Sequence, residues 1–398
     1  MIRTAGSYTL ILLLCATALG CAPTVRTTQH SAAILDTNTL PEGLLLDVGI
    51  APFDPGTSRG STEKNVFPAV REAEARFMPT VMAETLQNSG NWGAVRVVPN
   101  RQSEMDVWVD GRILKSDGET LELEIKVEDA IGRVWFTKRY KELASKYAYD
   151  KKLREGIDPF QGIYNQVAND MLAYRKQMDA VALKRLRTIT ELKFAERFAP
   201  EVFGGYLSQD NKGRYHIERL PAESDPTMER IRRIRERDYM FVDTLQDYYG
   251  AFARQMEEPY RQWRQESFFE TQSLRELKAK ATAQTIGGAL AVIGGILAQG
   301  SSSAITRSAG TVGILGGAYM VKGGLDKHSE ANIHRDALKE LSYSLHAELE
   351  PHSIRLEDRT VTLSGTAEQQ YQQWRAILRE IYITETGLTP GAQQDYSD

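Results

Sequence analysis

The chain is 398 residues long, and its 49 basic and 53 acidic side chains are interspersed, leaving a formal charge of −4 that offers no surface for nucleic acid. With 41% hydrophobic and 26% charged residues the composition excludes wholesale disorder, and the length allows two or three domains of roughly 100 to 200 residues. Only two cysteines occur, Cys15 and Cys21, both near the start, so stability must come from ordinary cores rather than disulfides.

Arg3, the apolar run from Leu10 to Leu14 and the small residues before Cys21 make a secretory signal over 1–20. It has a cationic head, an apolar centre too short to span a bilayer, and a cleavage point. Ala18-Leu19-Gly20-Cys21 resembles a bacterial lipoprotein signal, which implies that Cys21 receives a diacylglycerol on sulfur and becomes the N-terminus. An ordinary signal cleaved near Ala18 is the alternative. At about 0.8 kcal/mol per buried methylene, more than one acyl chain makes an effectively permanent membrane anchor. Enteric lipoproteins kept at the inner membrane carry aspartate where Ala22 stands, so the resemblance implies the outer membrane, facing the periplasm.

Residues 21–41 are polar and aperiodic and read as a tether. An α/β domain is expected over 42–150. It holds a strand at 44–50, a loop at 52–62, and a helix at 67–87 with Pro79 inside it. Strands follow at 95–98, 107–114, 121–127 and 134–140, with turns at Asp117-Gly118 and Gly132. The stretch from Asp106 to Ile113 and that from Val127 to Trp135 resemble two strands shared by certain envelope domains. These are the amino-terminal domain of TolB, the curli secretion lipoprotein CsgG, and the outer-membrane lipoprotein that activates penicillin-binding proteins. An aspartate enters the first strand, which ends in glycine; an aspartate and a turn glycine close the second. The resemblance implies a protein-binding module and brings no catalytic residues with it.

A helical region is expected over 151–282, with Asp158-Pro159 and Asp225-Pro226 as helix starts. From Pro226 to about 283 only Gly250 and Pro259 interrupt the pattern, so the segment is one long helix or two. Ile231, Ile234, Phe241, Leu245, Tyr248 and Phe252 form a stripe that needs a partner, with Asp238 the polar exception. Ile163, Val167, Met171, Tyr174 and Met178 are the expected partner. The dense aromatic series from Tyr239 to Phe269 suits a core better than a binding groove.

Ala283, Gly287, Ala291 and Gly295 are spaced four apart in an apolar run, and Ala309, Gly313 and Gly317 repeat the device. Small residues at this spacing let two helix backbones approach closely, as in a glycine-zipper hairpin over 283–325. Two readings stand open: a packed hairpin in a soluble or homo-oligomeric core, and a hairpin that dips into membrane. A small αββα module is expected over 326–385, with helices at 333–349 and 368–382 and strands at 353–356 and 360–363. The stretch from Val361 to Ala367 resembles the second strand of the BON domain, a small envelope module proposed to bind phospholipid. The tail over 386–398 reads as disordered.

The fold class is therefore α+β. His328, His334, His346 and His352 lack the helical i, i+4 spacing of a zinc site, and neither a nucleophile elbow, a phosphate-binding loop nor a dinucleotide fingerprint occurs. No catalytic residue, metal or cofactor is expected. The leading expectation is a non-enzymatic lipid-anchored component of an envelope assembly, bound to other envelope proteins. The alternatives are an oligomeric membrane-inserting or secretion-associated component and, third, a cell-wall or lipid hydrolase.

Overall fold

The computed structural model describes residues 32–36, 40–57, 67–101, 103–150, 157–297, 340, 349–356 and 360–386. The protein is α+β. Strands β1 (Val48–Ile50), β2 (Val95–Val97), β3 (Val107–Ser116), β4 (Thr120–Asp129) and β5 (Val134–Leu143) form one mixed sheet in the order β2-β1-β3-β4-β5. β1 runs parallel to both neighbours, with Val48 opposite Val95 and Val107, and helix α1 (Pro68–Asn88) makes the crossover from β1 to β2. β3, β4 and β5 then pair antiparallel as a meander. Along β4 the buried Leu121, Leu123, Ile125 and Val127 alternate with half-exposed charged residues, the period-two signature of a strand with one face on the core. This order matches the expected one, with strand ends moved by a few residues, and α1 runs uninterrupted through Pro79.

Past the sheet, α2 (Gln161–Arg175) packs on α1 and β5. It begins two residues later than Asp158-Pro159 suggests, because Asp158 accepts the Phe160 amide in a turn that precedes the helix. α3 (Ala180–Phe198) starts afresh at Asp179, whose Oδ1 accepts the Ala182 amide at 2.7 Å. A single turn, α4 (Pro200–Phe203), leads to a small hairpin of β6 (Leu207–Gln209) and β7 (Tyr215–Ile217).

Helix α5 (Pro226–Leu297) is one element, continuous through Gly250 and Pro259. Asp225 caps it, accepting the Thr227 amide at 2.8 Å. Its apolar stripe is buried, but not against the expected partner. α2 spends its own apolar face, Ile163, Val167 and Met171, on α1 and β5, and α5 instead packs on α1, β2, α3 and the C-terminal helix. Gln246 of α5 bonds both the amide and the carbonyl of Val97 at 2.8 Å, and Asp243 receives Arg96 at 2.6 Å. The exposed edge of β2 is thereby covered by side chains rather than by another strand.

At the C-terminal end, β8 (Leu349–Arg355) and β9 (Thr360–Gly365) form a hairpin followed by α6 (Ala367–Thr386). Leu349, expected at the end of a helix, is already in β8. One hydrophobic core runs through the sheet, the helices and this hairpin, so it crosses the boundary expected at residue 150. Residues 32–36, expected within the tether, are docked: Asp36 pairs with Arg175 at 2.8 Å, and Asn91 donates to the Ile34 carbonyl at 2.8 Å.

Candidate functional site

The polar exception in the α5 stripe lies where α5 meets the C-terminal helix. Asp238 is fully buried, and its Oδ2 takes Tyr371 Oη at 3.2 Å, Arg375 Nη1 at 3.4 Å and Ser103 Oγ at 3.5 Å. Its Oδ1 has no hydrogen-bond partner among the described residues. Burial pushes the carboxyl above its ordinary range, outweighing the Arg375 charge and the hydroxyls that favour ionisation. One turn on, the Phe241 ring stacks on Tyr371 at 6.3 Å, lies 5.5 Å from Trp374 and meets His352 edge-on at 6.0 Å. These contacts seat β8 and α6 on α5.

The seating is incomplete. Between α5, β8 and α6 lies a groove of about 610 Å³, walled by Met240, Phe241, Ile354, Leu356, Trp374 and Ile381. Arg237 and Glu385 pair at its rim at 3.6 Å. Met240 is 61% exposed although it stands on the face of α5 that the module approaches. Trp374 Nε1 is buried without a hydrogen-bond partner among the described residues. Apolar side chains interleaved with charged and hydroxyl groups, among them Arg355, Glu380 and Thr384, suit binding of an amphipathic segment.

Elsewhere the buried ionisable groups are consumed by structure. Glu74 on α1 receives Tyr260 at 2.7 Å and Ser116 at 2.6 Å on one oxygen and Arg71 at 3.3 Å on the other. Arg264 pairs with Asp158 at 2.9 Å, both side chains nearly inaccessible. Burial disfavours the Arg264 cation, but Asp158 and the neighbouring tyrosines hold it above its ordinary range. The two aspartates of the envelope-domain resemblance also have structural work. Asp106 accepts the Asp47 amide at 2.9 Å, joining β3 to the segment entering β1; burial and then the Asp47 charge raise its pKa. Asp129 accepts the Arg133 amide and Trp135 Nε1, each at 3.0 Å, closing the β4–β5 turn, where Gly132 has φ +90°.

Cys21, Ala309, Gly313 and Gly317 lie outside the described residues, as do His328, His334 and His346. Ala283, Gly287, Ala291 and Gly295 fall on the helical backbone of α5, and their side chains are outside the description. Among the described residues no group of three or more His, Cys, Asp or Glu converges as a metal site. None of the described helices is long and apolar enough to cross a membrane. The aromatic series divides unequally: Phe241, Tyr249, Phe252, Tyr260, Trp263 and Phe268 are core, while Phe269 is exposed. The sequence marked Asp238 only as an exception. Its partners Ser103 and Arg375 lie too far along the chain for any local pattern to link them.

No family model matches the chain, and no curated protein matches it. Among solved structures it is similar to a PelC dodecamer from Paraburkholderia phytofirmans, 18% identical, over 41% of this chain and 97% of that one, with a TM-score of 0.18. A score that low carries no argument.

Proposed function

We propose that the protein is a lipid-anchored component of the outer membrane, facing the periplasm, that acts as a non-enzymatic binding or scaffold element of an envelope assembly. The anchor is the acylated Cys21. The described residues join an α/β platform built on the five-stranded sheet, a helical region and a C-terminal module through one core. The observation that carries the reading is the groove between α5 and the C-terminal module, lined by apolar and charged side chains together and open to the exposed Met240. Supporting it, Glu74, Asp106, Asp158 and Arg264 are each engaged in holding elements together.

A photo-crosslinking residue at Met240, in living cells, is expected to capture an envelope protein that the same residue at Val181, 76% exposed on α3, does not. Equal capture at both positions, or none at Met240, removes the groove as the partner seat. Cys21→Ser is expected to release the protein from the outer membrane into the soluble periplasm. Retention of that variant through carbonate washing rejects the lipid as the principal anchor.

The second reading, self-assembly or membrane insertion through the small-residue segment, is favoured by one observation. The backbone of α5 stays helical past residues 283, 287, 291 and 295, so their four-residue spacing falls on a helix. Gly287→Leu should then weaken association sharply, while Leu290→Ile should not. Identical association of both variants and the parent rejects this reading.

A further inference from the structure

A second cleft, of about 510 Å³, opens where the end of α3, the loop before β3 and the middle of α6 meet. Its lining is four arginines, Arg101, Arg197, Arg375 and Arg379, with Phe198 and Ala376, and it includes no carboxylate. The acids that answer these cations are Asp110 and Glu128 at Arg101, Glu104 at Arg197, and Asp238 at Arg375, and none of them lines the cleft. Glu104 is shared with Lys193 and Glu128 with Lys126, and Arg379 makes no ion pair among the described residues. Positive charge therefore exceeds negative, and all of it that reaches the cleft surface is guanidinium.

The four groups are held to different degrees. Arg375 is 11% exposed, fixed by Asp238 and by the Phe198 ring 4.9 Å away, so its position is set by the core. Arg101 and Arg197 are about 40% exposed, and Arg379, one turn from Arg375 on α6, is exposed. A purely structural cluster would place acids among the cations, since like charges facing one another across a cleft repel. Here no acid lines the cleft, although Asp110 already holds Nε and Nη2 of Arg101 on its two oxygens.

We propose that this cleft binds a phosphoryl group. Each guanidinium offers a planar fork of N–H donors that matches phosphate oxygens in pairs. With Arg101 committed to Asp110, the donors that converge from Arg197, Arg375 and Arg379 exceed what the two oxygens of a carboxylate can accept, whereas a phosphate monoester has three free oxygens and carries nearly two charges. The volume is that of a small-molecule site rather than of a lone ion, so the phosphate carries an organic substituent. That chemistry is shared by soluble phosphate esters and by the head group of phosphatidic acid. The inference does not rest on the scaffold reading, since neither the groove nor the anchor enters it.

The test uses the full chain and two matched probes: glycerol 3-phosphate by calorimetry, and flotation with phosphatidylcholine vesicles containing or lacking phosphatidic acid. The double variant Arg101→Gln, Arg379→Gln changes two exposed side chains and should melt as the parent does. Its affinity for whichever probe binds should fall about tenfold or more, the loss expected for removing charge-assisted hydrogen bonds. Should the double variant melt lower, Arg379→Glu alone gives the same reading at a position with no ion pair to lose. Binding of glycerol 3-phosphate that the variants abolish supports the site and assigns a soluble ester. Flotation specific to phosphatidic acid that the variants abolish supports it and assigns the lipid. Binding of neither probe, or binding that survives the substitutions, overturns the proposal.

Discussion

Among the buried carboxylates that fasten α5 to its surroundings, Glu74 and Asp238 are satisfied to different extents. At Glu74 both oxygens are bonded, Tyr260 and Ser116 sharing one and Arg71 taking the other, and the Phe77 ring closes on Tyr260 edge-on at 5.2 Å. At Asp238 three donors crowd Oδ2 while Oδ1 has none among the described residues, and an open groove lies beside the aromatic stack. A buried carboxylate with both oxygens filled is a device of folding alone. Asp238, half satisfied, holds the C-terminal helix less completely than Glu74 holds its own contact.

That contrast is open to breakage, and the largest effect is expected at the filled contact. Tyr260→Ala should cost about 3 to 5 kcal/mol of global stability in urea unfolding, because it opens a cavity and strips a donor from Glu74. Tyr371→Ala, at the half-filled contact, should leave the sheet folded and expose the C-terminal hairpin and α6 to limited proteolysis. Simultaneous loss of both regions in either variant would show that the two contacts are equivalent.

Next in size is the hairpin at Gly118, which sits against α5 near Tyr260. Its φ is +77° and an added Cβ would lie 2.2 Å from the Arg264 carbonyl oxygen. Gly118→Ala should therefore cost about 1 to 3 kcal/mol, and a neutral outcome would mean that this end of the helix is loosely held after all.

A smaller, pH-dependent effect belongs to Asp238. A carboxyl whose folded pKa is raised above 3.8 binds its proton more tightly folded than unfolded, so its contribution to stability is present at low pH and is lost as pH rises through the folded value. Asp238→Asn should flatten that decline, which starts near the unfolded carboxyl value, by at most about 1.4 kcal/mol per pH unit. Parallel stability curves for variant and parent would show that Asp238 is as well satisfied as Glu74. The smallest effect is expected in the groove itself. Met240→Gln should change stability by less than about 0.5 kcal/mol, since the side chain is largely exposed. A large loss in a melting experiment would make Met240 part of the core.

How much of this was legible in the sequence follows from the range of the interactions. The β-α-β-β-β-β order was, because alternation along β4 and the turn glycines Gly118 and Gly132 act within a few residues. The start of α5 was too, since Asp225 and Pro226 cap it locally. The β6–β7 hairpin was not: strands of three residues such as Leu207–Gln209 are too short to show a period. The partner of the α5 stripe was misjudged because α2 has an equally good apolar face and nothing in its spacing says that α1 and β5 occupy it. Nor could spacing show that Arg101, Arg197, Arg375 and Arg379 meet, since they come from three separate elements.

The docked segment at 32–36 sets a leash. Asn169 on α2 donates to the Ala32 carbonyl at 2.9 Å and accepts the Ile34 amide at 2.8 Å, so the chain is already fixed eleven residues after Cys21. Fully extended, eleven residues reach no more than about 40 Å. If Cys21 carries the proposed lipid, that pinned point on α2 stays within this distance of the bilayer surface. Under the proposed anchoring the leash fixes the depth of this one point only, because α5, with 72 residues at about 1.5 Å each, reaches well beyond it.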